Sequence, residues 1–140
     1  MNIAIVHTDF RIYWPARLHA LHALLVSKGH TLTVIEITGQ GSDYAFHKEK
    51  AHDESYWRVL FPNDTPETLA PSIIRRALFK TLDDIMPDVV VAGAIAFPSG
   101  AISTSWAKQR KKRIIIFDDS KKEDVERNGL VNYIKRCIYK

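Results

Sequence analysis

Apolar positions along this chain fall into short runs separated by stretches with helical spacing. Residues 2–7 (NIAIVH) suit a central parallel strand, buried on both faces. Pro15 then fits the first position of a helix, where its missing N–H costs nothing. Leu18, Leu21 and Leu25 give that helix an apolar stripe, widened by Leu24, and Gly29 can close it. Residues 31–37 (TLTVIEI) alternate and include β-branched residues, which predicts a second strand. Residues 38–56 are polar and irregular, a connection long enough to be functional, mobile or host to a short helix. A third strand is expected over 56–61 (YWRVLF). Residues 63–67 (NDTPE) read as a helix start, with a restart or kink imposed by Pro71. Ile74, Leu78, Leu82 and Ile85 then carry helical spacing up to Pro87. Residues 88–93 (DVVVAG) form a fourth, buried strand, and Pro98 begins a helix that runs to about Arg110. Residues 113–117 (RIIIF) make a fifth strand, and a last amphipathic helix carries Leu130, Ile134 and Ile138.

Strand and helix alternate throughout, which implies parallel pairing with right-handed crossovers. The expected fold is therefore α/β, a doubly wound, Rossmann-like parallel sheet of about five strands with helices on both faces. At 140 residues the chain is read as one domain spanning 1–140. No internal repeat or low-complexity segment interrupts it.

Composition changes this picture little: 46% hydrophobic and 26% charged residues are ordinary for a globular domain. Cys137 is the sole cysteine, so no internal disulfide forms, and a reducing compartment is expected. No signal-peptide layout or membrane-length apolar run occurs, so the expected location is cytoplasmic. Charge is more informative. Residues 1–106 hold 9 basic against 11 acidic side chains, net −2, whereas residues 107–140 hold 11 against 5, net +6. The basic end is either a solvated surface or a face for phosphates, such as the inner face of an anionic membrane. Nucleic acid is not expected, because the basic run 108–113 (KQRKKR) lacks interleaved aromatics and belongs to no known module.

In open α/β sheets ligands sit beyond the carboxyl ends of the strands, where strand order reverses. The segments concerned are residues 7–13, 94–99 and 118–120. Dinucleotide-binding versions fill the first of these turns with glycine. Here residues 7–14 read HTDFRIYW, without glycine. His7, Asp9, Arg11, Asp118 and Asp119 could serve as bases, acids or hydrogen-bonding groups. Phe10, Tyr13 and Trp14 offer flat rings beside polar groups, which suits a sugar or an amphipathic acceptor, or else staples the loop to the first helix. Ser99 and Gly100 stand in the first turn of the helix that begins at Pro98, where N–H groups and the helix dipole favour an anion. His19 and His22 lie three apart on a helix, and His47 and His52 five apart in a loop. Neither pair has a third ligand in pattern, so no metal is expected and the helical pair is read as exposed. No Walker loop, paired CxxC or nucleophile elbow occurs, and no cofactor is expected.

This layout resembles the opening domain of a family 4-type glycosyltransferase of the GT-B fold. The residues concerned are the opening strand, Arg17 on the first helix, and the Gly29-His30 turn. With them go the Pro-Asp-Val-Val strand from Pro87 to Val90, the aromatic-Pro-Ser-Gly helix start from Phe97 to Gly100, and the acidic pair after the fifth strand. In such enzymes this domain binds the acceptor, a second Rossmann-like domain binds the nucleotide sugar, and catalysis occurs between them. The resemblance makes Asp9, Phe10, Arg11 and Tyr13 acceptor-loop residues, with His7, Phe97 and Ser99 beside them. It places Asp119 at the aspartate of the family's His-Asp position, with Asp118 in place of the histidine, as candidate catalytic residues. The glycine pair that many relatives carry after the first strand is missing here. The donor-binding domain is also absent from these 140 residues.

The expectation is thus an acceptor-binding domain or fragment of a sugar transferase, taking a glycan or lipid-linked acceptor and inactive alone. The alternative is a stand-alone flavodoxin- or receiver-like binding or regulatory module, which needs Asp9, Asp118 and Asp119 to converge on a metal or a phosphate.

Overall fold

The computed structural model describes residues 1–10, 14–40 and 54–117, together with Gly129, Tyr133 and Cys137. Arg11, Tyr13, Asp118 and Asp119, the histidines of the 38–56 connection, and most of the expected last helix lie outside the described residues.

Among the described residues, five strands and three helices follow in the order β1 (Asn2–His7), α1 (Trp14–Ser27), β2 (Thr31–Thr38), β3 (Trp57–Phe61), α2 (Pro71–Ile85), β4 (Val89–Ala92), α3 (Pro98–Gln109) and β5 (Arg113–Ile116). The strands form one all-parallel sheet in the order β3-β2-β1-β4-β5. β1 is central, pairing Ile3 with Leu32 of β2 on one side and with Val89 of β4 on the other. Each strand bound agrees with the sequence pattern to within a residue, because runs this short and apolar have no other way to be buried.

Side chains alternate across the sheet, and each face finds a helix layer. Ala4 and Val6 point with Ile35, Ile37, Val90 and Ala92 towards α2 and α3, which contribute Ile74, Leu78, Leu82, Ile102 and Trp106. Ile5 points the opposite way and packs with Leu32 and Val34 against Leu18 of α1, alongside Phe10 and Trp57. Helices therefore cover both faces, as the doubly wound pattern requires.

Helix ends follow local chemistry. Pro71 and Pro98 each occupy the first turn of their helix. The segment around Pro66 becomes a single 3-10 turn, Pro66–Thr68, and α2 restarts at Pro71. α1 closes at Gly29 with φ +72, and the His30 N–H reaches back to the Leu25 carbonyl at 2.9 Å. α2 closes instead on Met86, a non-glycine residue held at φ 48.

Two expectations need correcting. Leu24 does not widen the buried stripe of α1: it is 53% exposed. At about 100° per residue it stands roughly 120° around the helix from Leu18, beyond the reach of the sheet. His19 and His22 are not exposed helix residues but half-buried ones. His22 stacks on the Tyr56 ring at 3.7 Å, and His19 pairs its Nδ1 with the Tyr56 hydroxyl while its Nε2 lies 3.6 Å from Glu54. Burial, reinforced by the Glu54 charge, pushes the Tyr56 phenol up, so it keeps its proton beside His19. These residues pin the start of β3 to α1.

Trp106, the largest fully buried side chain, donates its indole N–H to Asp83 at 2.9 Å. Arg110 grips the same carboxylate through Nε and a terminal nitrogen, both at 2.9 Å. The Arg110 hydrogen bonds, followed by that from Trp106, hold the Asp83 carboxyl below its ordinary value. A depressed carboxylate adds stability above the unfolded value and loses it as pH falls through the folded one. Asp83→Asn should therefore melt below the wild type at neutral pH, and the gap should close below about pH 4. Thermal unfolding of both proteins across pH 3–7 checks this; a gap independent of pH would refute it.

Candidate functional site

Strand order reverses between β1 and β4, so the crevice open to a ligand lies where His7 leaves β1 and Gly93 leaves β4. The turn after β1 is fastened to β2. The Thr8 carbonyl accepts the N–H groups of Ile37 and Thr38, each at 3.1 Å. Its hydroxyl lies 3.0 Å from the Ser99 hydroxyl in the first turn of α3. The α3 backbone presses close to β4: a Cβ at Gly100 would stand 2.4 Å from the Gly93 carbonyl oxygen. Residues of the first and fourth strand ends are thus held together by hydroxyls and by a missing side chain.

His7, half-buried, stands at this strand end. Its ring lies flat on Phe117 at a centroid distance of 5.5 Å and tilts against Phe10 at 5.4 Å. Trp14 touches both Phe10 and Phe117, closing a ring of four aromatic side chains. The His7 Nδ1 lies 2.8 Å from the Asp9 carbonyl oxygen. A carbonyl only accepts, so Nδ1 carries the proton, and in the neutral ring Nε2 is the acceptor. Nε2 sits beside Gly93: a Cβ built there would lie 3.1 Å from it and 2.7 Å from Cδ2.

Glu36, at the end of β2, is buried at 7% exposure. Its Oε1 accepts the Phe10 N–H at 2.9 Å, and its Oε2 accepts the Trp57 indole N–H at 3.0 Å. A buried carboxylate needs such donors.

Of the residues marked from sequence, the structure brings His7, Asp9, Phe10 and Ser99 to one place. Phe10 is only 2% exposed, wedged between Trp14 and Trp57, so its ring supports the crevice wall from behind. Ser99 is equally buried and reaches the crevice through its bond to Thr8. Phe97 turns the other way. It is 54% exposed and lines an apolar groove of about 390 Å³ between α2 and α3, with Pro71, Ile95, Pro98 and Ile102, and with Arg75 among the lining residues. Arg11, Tyr13, Asp118 and Asp119 are outside the described residues, although Phe117, next to the acidic pair, is fixed against His7. Glu36, Thr8 and Gly93 were missed from sequence. Glu36 did leave a signal, being the one charged residue inside an otherwise uncharged strand.

Among the described residues no group of three or more His, Cys, Asp or Glu side chains could hold a metal ion. No helix among them is long and apolar enough to cross a membrane. Comparison with protein-family models, with curated proteins and with solved structures finds no match to this chain.

Gly93→Ala should drive the His7 ring off its seat, because the new methyl overlaps Cδ2 while the sheet itself is untouched. The expected outcome is a folded protein whose His7 ring resonances lose the ring-current shift given by Phe117. An NMR comparison of the two proteins checks it, and unchanged His7 signals would refute it.

Proposed function

We propose that this domain binds the acceptor in a two-domain sugar transferase, with the nucleotide-sugar donor held by a partner domain. The observation that carries this reading is the crevice at the strand-order reversal. The half-buried His7, Thr8, Trp14 and Phe117 stand there, backed by the buried Phe10 and Ser99, and no glycine turn stands ready for a pyrophosphate. Flat rings beside hydrogen-bonding groups match the alternating apolar and hydroxyl faces of a sugar. In this reading Asp118 and Asp119, next along the chain from Phe117, supply the acid-base chemistry. Arg11 and Tyr13 complete the acceptor loop. A lipid-linked acceptor would lay its hydrocarbon in the groove beside Phe97, which shares the loop before α3 with the crevice.

The test is a titration of isotope-labelled protein with free hexoses and N-acetylhexosamines, and separately with uridine diphosphate as a donor-side probe. At least one sugar should move the His7, Thr8 and Ser99 resonances, and His7→Ala should weaken that response about tenfold, near 1.4 kcal/mol. Silence towards every sugar, or a response at these residues to the nucleotide alone, would overturn the reading.

Contact with an anionic membrane is a separable part of the proposal. The basic run 108–113 lies at the carboxyl end of α3, whereas the crevice lies at its amino end, about 18 Å away for twelve residues. A membrane gripped there would hold the crevice clear of the surface. Sedimentation with anionic vesicles should show binding that fades as salt rises and that is lost in the double variant Lys111→Glu, Lys112→Glu. No sedimentation at low salt would remove the membrane from the proposal.

A further inference from the structure

One peptide group joins the half-buried His7 to the buried Glu36. The unit between Asp9 and Phe10 offers its carbonyl oxygen to the His7 Nδ1 at 2.8 Å. The same unit gives its N–H to Glu36 Oε1 at 2.9 Å. We infer that Glu36 is a positioning residue for His7, acting through this peptide as a carboxylate–peptide–imidazole relay that fixes the Nδ1–H tautomer and presents Nε2 to the crevice as a hydrogen-bond acceptor.

A carboxylate on the N–H of an amide draws the amide proton and shifts electron density onto its carbonyl oxygen, so bonds in such a chain strengthen one another. A more negative Asp9 oxygen holds the Nδ1 proton more firmly, and the proton has only one other nitrogen to occupy. The ring stacks against Phe117 and occupies the space that a Cβ at Gly93 would fill. Metal-binding histidines are oriented in the same manner by outer carboxylates or carbonyls. Here both are used in series, with a carbonyl touching the ring and a carboxylate behind it. Glu36 is itself held by the Trp57 indole N–H, which keeps its second oxygen occupied.

The inference rests on the acceptor-binding reading for what Nε2 would engage, namely a hydroxyl proton of the acceptor. The relay itself is measured without any ligand, so the two stand or fall separately. In long-range ¹⁵N–¹H spectra at a pH where the imidazole is neutral, wild-type His7 should show a protonated Nδ1 and an unprotonated Nε2. Glu36→Gln should move the population towards the Nε2–H tautomer, while far-UV circular dichroism stays unchanged. Trp57→Phe removes an indole donor from the same carboxylate but leaves the Phe10 N–H bond in place, so it should keep the wild-type tautomer. That outcome separates the relay from a general loosening of the core. If the Gln variant does not fold, Glu36→Asp withdraws the carboxylate by one methylene and should shift the tautomer in the same direction. A wild-type ring with its proton on Nε2, or a tautomer that ignores a folded Glu36 variant, would overturn the inference.

Discussion

Parallel pairing of β1 on both of its edges is the constraint on which the rest of the structure depends. A strand with partners on both sides and helices above and below has no solvated face, so it must be short and apolar, as Asn2–His7 is. The chain first moves outward to β2 and β3, then returns across the sheet to β4. That return opens the sheet at one point only, beyond His7 and Gly93. The crevice is a consequence of topology before any side chain is chosen.

Side chains then decide what the crevice can hold. Most of its polar contacts join the turn after β1 to something else: Thr8 to β2 and to Ser99, and the Phe10 N–H to Glu36. The wall is built from aromatic rings touching one another, which gives rigidity without glycine. A phosphate-binding turn works the opposite way, leaving backbone N–H groups exposed to the ligand. In this chain the Phe10 N–H is already committed to a buried carboxylate, and the recognition chemistry is left to side chains.

The fold was legible in the sequence because its signals are local. The strand runs 2–7, 31–37 and 88–93 are short and uncharged or nearly so, and the last two have Pro or Gly at or near their ends, which leaves little choice of element. Leu24 was misplaced because helical spacing identifies a stripe but not its width. The width depends on how closely the sheet approaches α1. The candidate site was half legible. His7, Asp9 and Ser99 could be found from position alone, since they follow strands or open a helix. Phe97 could not, because its direction depends on how α2 and α3 pack. Glu36 was hidden by its own strand, whose alternation reads equally well with a solvated glutamate. What distinguishes it is two donors from residues 26 and 21 positions away, a long-range fact that no local pattern carries.

The energetic position of Glu36 bears on what it does. Withdrawing a carboxylate from water costs several kcal/mol, and good hydrogen bonds recover that cost without a large surplus. An apolar residue of similar size would pack against Leu32, Val34 and Trp57 but would take this acceptor from the Phe10 N–H and the Trp57 indole N–H. Glu36 thus satisfies two buried donors and, through one of them, fixes the direction of the Asp9–Phe10 peptide. That direction is also the one that commits Nδ1 of His7 to the Asp9 carbonyl and leaves Nε2 beside Gly93. In the relay inferred above, satisfying those donors and orienting a single imidazole are one and the same arrangement.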